Sequence, residues 1–304
     1  MTTPVVDQTD TADRTDLETQ LPRLWRPRTS WAKFRPQLAH LLLLPVCLVW
    51  VYPFVWMFSA SFKSQREMLL GGLSLLPEAP TLANFSRAWN TAHFGAYTLN
   101  TIVYTVLVVG IVLVVSACAG YALSRPRLPG KKVIIGVLVA TMFIPHGYTI
   151  IPVFVLVNAL GLGNSLVGAA LAQAGPVHVV PVLLFMGYFA QIPKELEEAA
   201  KVDGAGYLRI FLQIMLPLAK PVIGTVALMN FVSAWSAFFV PLVFTLGNPD
   251  LRTLGVGMYN FFGSESTDFA GLAAGATISV LPTIVVFLLL QRTFIEGIAG
   301  AVKS

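Results

Sequence analysis

Six long apolar segments constrain the fold of this 304-residue chain more than any other feature. Each segment has 19 to 25 residues and contains no Asp, Glu, Lys or Arg. About 20 residues of helix cross the hydrocarbon core of a bilayer, whereas a barrel strand needs only about 10. The chain is therefore predicted to be an all-α, polytopic membrane protein with six transmembrane helices, at about residues 38–59, 99–123, 133–157, 166–190, 222–246 and 272–290.

The composition agrees with a membrane location, because 56% of the residues are hydrophobic, 12% are charged and the mean hydropathy is +0.73. A soluble domain does not need so large an apolar fraction. Residues 1–36 differ from the rest, since acidic residues and threonines precede a basic stretch that contains proline. We expect residues 1–36 to form a mostly disordered tail and residues 37–304 to form the membrane domain. The acidic start is unlike a secretory signal peptide.

The distribution of Lys and Arg predicts the orientation. When the loops are assigned alternately to the two sides, sixteen of the twenty basic residues fall on one side and four on the other. Positively charged loops stay in the cytoplasm. The chain is therefore predicted to lie in the cell membrane, with both termini and the loop at about residues 191–220 on the cytoplasmic side. The net charge of +5 follows from this topology and indicates no nucleic-acid partner.

The loop at about 191–220 reads as two short helices with a glycine between them. Pro193 suits the first turn of a helix, where its missing N–H is not needed, and the glutamates that follow suit the positive end of the helix dipole. Gly204 suits a left-handed helix cap. Leu208 and Phe211 give the second helix apolar bulk. This pattern predicts a hinged pair of helices with apolar surface to bury.

The same loop resembles the EAA loop of ABC importer permeases, whose pattern is Glu-Ala-Ala, three residues, Gly, nine residues, Ile, one residue, Leu-Pro. The fixed positions are all matched between residues 198 and 217. In that family the loop docks into a groove on a cytoplasmic ATPase subunit and transmits its movement to the membrane helices. The resemblance implies these ATPase-coupling residues: Glu198, Ala199, Ala200, Asp203, Gly204, Leu208, Phe211, Ile214, Leu216 and Pro217.

Other motifs resemble the carbohydrate branch of these permeases, in particular the maltose-type second permease. They stand at residues 80–85, 119–125, 193–200, 291–294 and 300–303, which read Pro-Thr-Leu-Ala-Asn-Phe, Ala-Gly-Tyr-Ala-Leu-Ser-Arg, Pro-Lys-Glu-Leu-Glu-Glu-Ala-Ala, Gln-Arg-Thr-Phe and Gly-Ala-Val-Lys. The resemblance implies the import of a sugar by alternating access. It also implies four kinds of partner: membrane lipid, a second homologous permease, two ABC ATPase subunits and an extracytoplasmic sugar-binding protein. ATP and Mg²⁺ would be used by the ATPase subunits, and no cofactor is expected on this chain.

The fifth segment departs from the family pattern. Relatives often carry Trp-Asn-Glu-Phe where this chain has Trp235-Ser236-Ala237-Phe238, so a carboxylate that is costly in the membrane is absent. Trp235 and Phe238 are candidates for the translocation pathway, because aromatic rings stack on sugar rings, with helix packing as an equal alternative. Pro145, His146 and His178 are further candidates, because prolines predict kinks near them. Packed core positions are the alternative for the two histidines.

The sequence contains no arrangement typical of a catalytic or metal site, so a non-catalytic subunit is predicted. Two other classes of protein are alternatives. An ion-coupled secondary transporter would need ionisable residues within the membrane, and an intramembrane enzyme would need a nucleophile with a base. Neither feature is visible in this sequence. Within the family, glycerol phosphate or a polyol is the alternative solute.

Burial of Leu208 or Phe211 against an ATPase would contribute about 1.5 to 3 kcal/mol each, whereas an ion pair of Glu198 would contribute about 0 to 1 kcal/mol. A bulky residue at Gly204 is predicted to uncouple transport.

Overall fold

The computed structural model of the protein describes residues 31–72, 74–125, 128–175, 178–263 and 266–302, with side chains described between His40 and Gln291 apart from His146. The chain divides into two compact units, Met1–Pro53 and Phe54–Ser304. The described part of the smaller unit is residues 31–53, which belong to helix α1 (Trp31–Ala60). The last six residues of the predicted tail are therefore helical, while residues 1–30 lie outside the described part of the chain.

The larger unit is built from helices, with one isolated bridge between Phe262 and Thr267. Its helices in the first half of the chain are α2 (Gln65–Leu70), α3 (Ala83–Ser86), α4 (Phe94–Ser124), α5 (Lys131–Thr141), α6 (His146–Ala159) and α7 (Leu166–Ala174). Those in the second half are α8 (Val179–Gln191), α9 (Glu195–Val202), α10 (Tyr207–Leu218), α11 (Lys220–Trp235), α12 (Phe239–Thr245), α13 (Leu254–Gly257) and α14 (Phe269–Val302).

Helix α4 lies at the centre of the larger unit, where it packs against α7, α8 and α11, while α14 covers α11. Tyr104, Val108 and Val112 are fully buried along one side of α4. Their spacing of four residues places them on one face of the helix. The remaining faces of α4 expose apolar side chains such as Val106 and Val114, as expected of a helix that also meets lipid or another membrane helix.

Among the described residues, three helices are long and apolar enough to cross a membrane unaided, and they are His40–Ala60, Phe94–Ser124 and Phe269–Gln291. The other three predicted spans are interrupted. The third is divided between α5 and α6 at Pro145, since a proline disfavours helical backbone at the residue before it. The fourth is divided between α7 and α8, and the fifth between α11 and α12. The all-α fold and the set of apolar helices are confirmed, and the count of six spans stays a prediction.

The end of α4 at Phe94 is joined to its neighbours by polar side chains. Asn84 is buried and donates hydrogen bonds of 2.8 Å to the carbonyl oxygens of both Ser61 and Lys63. Arg87 forms an ion pair of 3.0 Å with Asp268, just before α14 begins. These contacts fix the relative positions of the chain after α1, the chain before α4 and the start of α14. The buried asparagine lies in the Pro-Thr-Leu-Ala-Asn-Phe motif, which gives that motif a structural role.

Candidate functional site

The loop between α8 and α11 is a pair of helices joined by a tight left-handed turn. Helix α9 ends where Gly204 adopts a positive φ of 80°. The N–H of Ala205 donates to the carbonyl oxygen of Ala200 at 2.9 Å, and the N–H of Gly204 donates to that of Lys201 at 3.0 Å. This pair of bonds is a Schellman motif, which satisfies carbonyl groups at the end of a helix. The predicted glycine cap is therefore observed in the geometry of the loop.

The two-helix loop exposes several large apolar side chains. Val202, Tyr207 and Leu208 expose 88%, 76% and 71% of their surface. The ammonium group of Lys201 lies 5.4 Å from the centre of the Tyr207 ring, within cation–π range. Six of the predicted coupling residues are exposed, and they are Glu198, Ala199, Asp203, Gly204, Leu208 and Pro217.

Other residues of the loop pack against the membrane helices. Ala200 and Phe211 are buried, and Ile214 and Leu216 are half-buried against the same core. The Phe211 ring lies 5.2 Å from that of Tyr121 in α4 and 6.4 Å from that of Phe189 in α8. The apolar surface of Phe211 is therefore used within this chain, and Leu208 offers the larger free surface.

An ion pair joins the loop to the end of α4. Arg125, the residue after α4, donates through Nη2 to Oε1 of Glu197 in the first turn of α9. The side chain of Arg125 is 20% exposed and that of Glu197 is 9% exposed. The Arg125 guanidinium also lies 4.9 Å from the centre of the Tyr121 ring. Neither Arg125 nor Glu197 was among the predicted coupling residues, although opposite charges at the end of one predicted helix and the start of another were a signal for such a pair.

A cavity of about 510 Å³ lies between the loop and the end of α4. Both charges of the ion pair line it, together with Lys194, Glu198 and Tyr207. Part of the loop is therefore separated from the end of α4 by this cavity. The second helix of the loop continues into the membrane domain, since α10 and α11 meet at an angle of 76°. Ala219, at the junction, is fully buried.

The predicted pathway residues divide between two regions. Trp235 is buried, and its indole N–H donates to the carbonyl oxygen of Ser279 at 2.8 Å. Its ring stacks on Phe231 of the same helix, and the hydrogen bond to Ser279 joins α11 to α14. Phe238 follows the end of α11 and stacks on Tyr259, with ring centres 5.3 Å apart. Both aromatic residues thus have partners within the chain.

His178 precedes α8 and lines a second cavity, of about 750 Å³, together with Ile144 and Thr149. Its Nδ1 atom is buried and has no hydrogen-bond partner among the described residues. Pro145 is exposed and precedes α6, which His146 begins. Pro145, His146 and His178 thus all lie at helix starts. The structure brings His178 to the same cavity as the residue before Pro145, while Trp235 lines a third, apolar cavity of about 600 Å³.

The chain is similar in sequence to known transport proteins. The family model described as "Binding-protein-dependent transport system inner membrane component" matches residues 113–299. The chain is 34% identical to a putative ABC transporter permease protein of a Caldicellulosiruptor strain over 256 residues, covering 83% of this chain and 91% of that protein. It is 31% identical to the diacetylchitobiose uptake system permease protein NgcG of Streptomyces coelicolor over 269 residues, covering 88% and 87% of the two chains.

A solved structure has a similar fold. It is the crystal structure of a bacterial ABC transporter involved in the import of the acidic polysaccharide alginate, with a TM-score of 0.76 and 27% identity. The similarity covers 88% of this chain and 98% of the matched one. The interrupted helices and the two-helix loop thus occur in a fold shared with a solved transporter.

Proposed function

The chain belongs to the family of inner membrane components of binding-protein-dependent transport systems, and from this premise we propose that it is a permease subunit of an ATP-driven sugar importer. The proposal rests on the difference between the two faces of the loop. One face is fixed to α4 and α8, and the other presents Val202, Tyr207 and Leu208. A surface of this kind supports docking of a cytoplasmic protein.

The docking partner in this proposal is an ABC ATPase subunit. Burial of Leu208 alone would contribute about 1.5 to 3 kcal/mol, and Val202 and Tyr207 enlarge the same apolar patch. Glu198, Ala199 and Asp203 are also exposed, and in this proposal they set how closely the partner approaches. ATP and Mg²⁺ are held by the partner, and hydrolysis of the ATP moves the loop. Two ATPase subunits, a second permease and an extracytoplasmic binding protein complete the importer.

Movement of the loop is proposed to alternate the accessibility of a pathway between the two permeases. The bend between α10 and α11 supports this, because a rotation of the loop would act directly on a membrane helix. The interrupted helices α5–α6 and α11–α12 offer places at which such a helix can bend. In this proposal both termini and the loop are cytoplasmic.

The solute is proposed to be a di- or oligosaccharide. Support comes from the diacetylchitobiose permease and from the alginate transporter, whose names state a saccharide cargo. Glycerol phosphate or a polyol is the alternative solute. Since the binding protein captures the solute before this chain does, its bound solute is the most direct identification.

The proposal is tested by purifying the complex through a tag on this chain and reconstituting it in proteoliposomes with the binding protein. We expect an ATPase subunit to co-purify. We also expect uptake of a labelled oligosaccharide that requires ATP and Mg²⁺, and that persists when ion gradients are collapsed. Uptake driven by a proton or sodium gradient without an ATPase would identify a secondary transporter. ATP-dependent uptake of glycerol phosphate instead of an oligosaccharide would replace the proposed solute.

A further inference from the structure

We propose that Arg125 and Glu197 form a clamp that transmits movement of the loop to α4, the helix at the centre of the fold. This inference rests on the proposed function, because it assigns two positioning residues to the coupling of ATP hydrolysis with transport. The pair joins the first turn of α9 to the residue that follows α4. It is a direct polar connection between the loop and the central helix.

The surroundings of the pair make it resistant to separation. Both side chains are mostly withdrawn from solvent. The Arg125 Nε atom is itself buried and has no hydrogen-bond partner among the described residues, and Nη2 lies 4.0 Å from the sulfur of the fully buried Met215. Separating the pair would leave two mostly buried charges without their direct partner, which is unfavourable, although Lys194 and Glu198 line the same cavity. The two ends of the clamp are therefore expected to move together.

The helix dipoles favour the observed direction of the charges. Arg125 lies at the C-terminal end of α4, where the partial charge of the helix is negative, and Glu197 lies in the first turn of α9, where it is positive. Each charge is thus stabilised by its own helix as well as by its partner. A reversed pair would keep the mutual attraction but oppose both dipoles.

A second contact, between rings, fixes the other helix of the loop to the same turn of α4. Phe211 in α10 packs on Tyr121, which lies one turn before Arg125 and also faces the guanidinium. A cavity of about 510 Å³ lies beside these contacts. The loop is thus attached to the end of α4 in two ways, one through charge and one through a ring. Two such contacts prevent the loop from rotating about a single contact.

The experiment uses the complete transporter in proteoliposomes and measures the number of solute molecules imported per ATP hydrolysed. The variants are Arg125→Gln, Glu197→Gln and the reversed pair Arg125→Glu with Glu197→Arg. Glu195→Gln is the matched control, because Glu195 lies in the same first turn of α9 but is exposed. The amount of ATPase subunit that co-purifies with each variant is measured in parallel.

We expect each single variant to retain the ATPase subunit and its basal hydrolysis, while solute imported per ATP falls about tenfold or more. The reversed pair should recover part of this loss, because its charges attract but oppose the helix dipoles. Glu195→Gln should behave as the unchanged protein. A purely structural role would lower the amount of folded complex without changing the ratio per assembled complex.

Two results would overturn the clamp: single variants with an unchanged ratio, or a reversed pair no better than the single variants. If the single variants fail to insert, the reversed pair decides alone, since recovery of both insertion and coupling supports the clamp and failure of either overturns it. Failure of the proposed function is a separate result, because the unchanged protein would then show no ATP-dependent uptake.

Discussion

Gly120 in α4 lies directly against Phe185 in α8. A methyl group placed on Gly120 would be 2.4 Å from the Cβ atom of Phe185 and 2.9 Å from the backbone nitrogen of Met186. Because one of these atoms belongs to the backbone, a rotation of a side chain cannot relieve the overlap. The close approach of α4 and α8 therefore requires glycine at this position, as in other membrane helix pairs that meet at small residues.

We expect Gly120→Ala to lower the stability of the folded protein in detergent by about 1 to 3 kcal/mol, because α4 and α8 must move apart. Gly110→Ala is the matched control, since Gly110 is in the same helix and an added methyl group there meets no atom within 4 Å. Thermal unfolding of the two purified variants checks the difference. Equal unfolding temperatures for both variants would show that the helices separate at no cost.

Gly204 is constrained by its backbone and not by lack of space. Its φ is 80°, and no atom lies within 4 Å of an added Cβ. Gly204→Val should strain the turn by about 1 to 2 kcal/mol or more, while Gly204→Asn, which tolerates this conformation better, should cost less. We expect binding-protein-stimulated ATP hydrolysis to fall most for the valine variant.

The control for the turn is Gly206→Ala, because Gly206 has a φ of −74° and open space around its added Cβ. Stimulated hydrolysis is measured for all three variants at equal amounts of assembled complex. The assigned role of the left-handed turn would fail if valine and asparagine at position 204 gave the same activity.

Leu208 is predicted to act on ATPase binding without acting on the stability of this chain. Leu208→Ser removes a 71% exposed side chain, so the folded permease should keep its unfolding temperature. Affinity for the ATPase subunit should fall about 10- to 100-fold, which corresponds to about 1.5 to 3 kcal/mol. The affinity can be measured by titrating the purified ATPase against the permeases in detergent.

Leu69→Ser is the matched control for this measurement, because Leu69 is 62% exposed but lies in α2, far along the chain from the loop. It should leave ATPase affinity unchanged. If both serine variants weakened binding equally, the effect would be a general loss of apolar surface and Leu208 would have no specific role.

Trp235 is predicted to stabilise helix packing. Trp235→Phe removes the indole hydrogen bond to the carbonyl oxygen of Ser279, which should cost about 1 kcal/mol of stability. The relative uptake of competing sugars should not change. Trp89→Phe is the control, since Trp89 is half exposed and its replacement should leave stability unchanged. A change in sugar preference with normal stability would return Trp235 to the translocation pathway.

Local features of the loop could be predicted from the sequence, whereas long-range pairings could not. The left-handed turn at Gly204 and the acidic first turn of α9 depend on residues within a few positions of each other. The break before α6 likewise follows from Pro145. In contrast, Arg125 and Glu197 are 72 positions apart, and they meet because α4 packs against α8, which α9 follows.

The two apolar residues of α10 show a second limit. Leu208 and Phe211 are three positions apart, so their side chains lie on neighbouring parts of one helix surface. The boundary between exposed and buried surface passes between them, because Tyr121 and Phe189 cover only Phe211. A pattern of apolar residues does not indicate which part of that surface its own chain covers. For the same reason, Trp235 could not be assigned to packing or to a pathway from the sequence.

Consecutive glutamates in α9 differ in exposure, since Glu197 is buried in its ion pair with Arg125 and Glu198 is exposed. The loop thus carries an inner set of residues that its own chain covers and an outer set that it leaves exposed, within one short stretch of sequence. Its outer set could be exchanged for that of another transporter while the inner set is left untouched. Under the proposed function, such a chimaera would keep the translocation pathway of this permease and bind a different ATPase subunit. The loop is thus a suitable place for engineering transporters with interchangeable ATPase subunits.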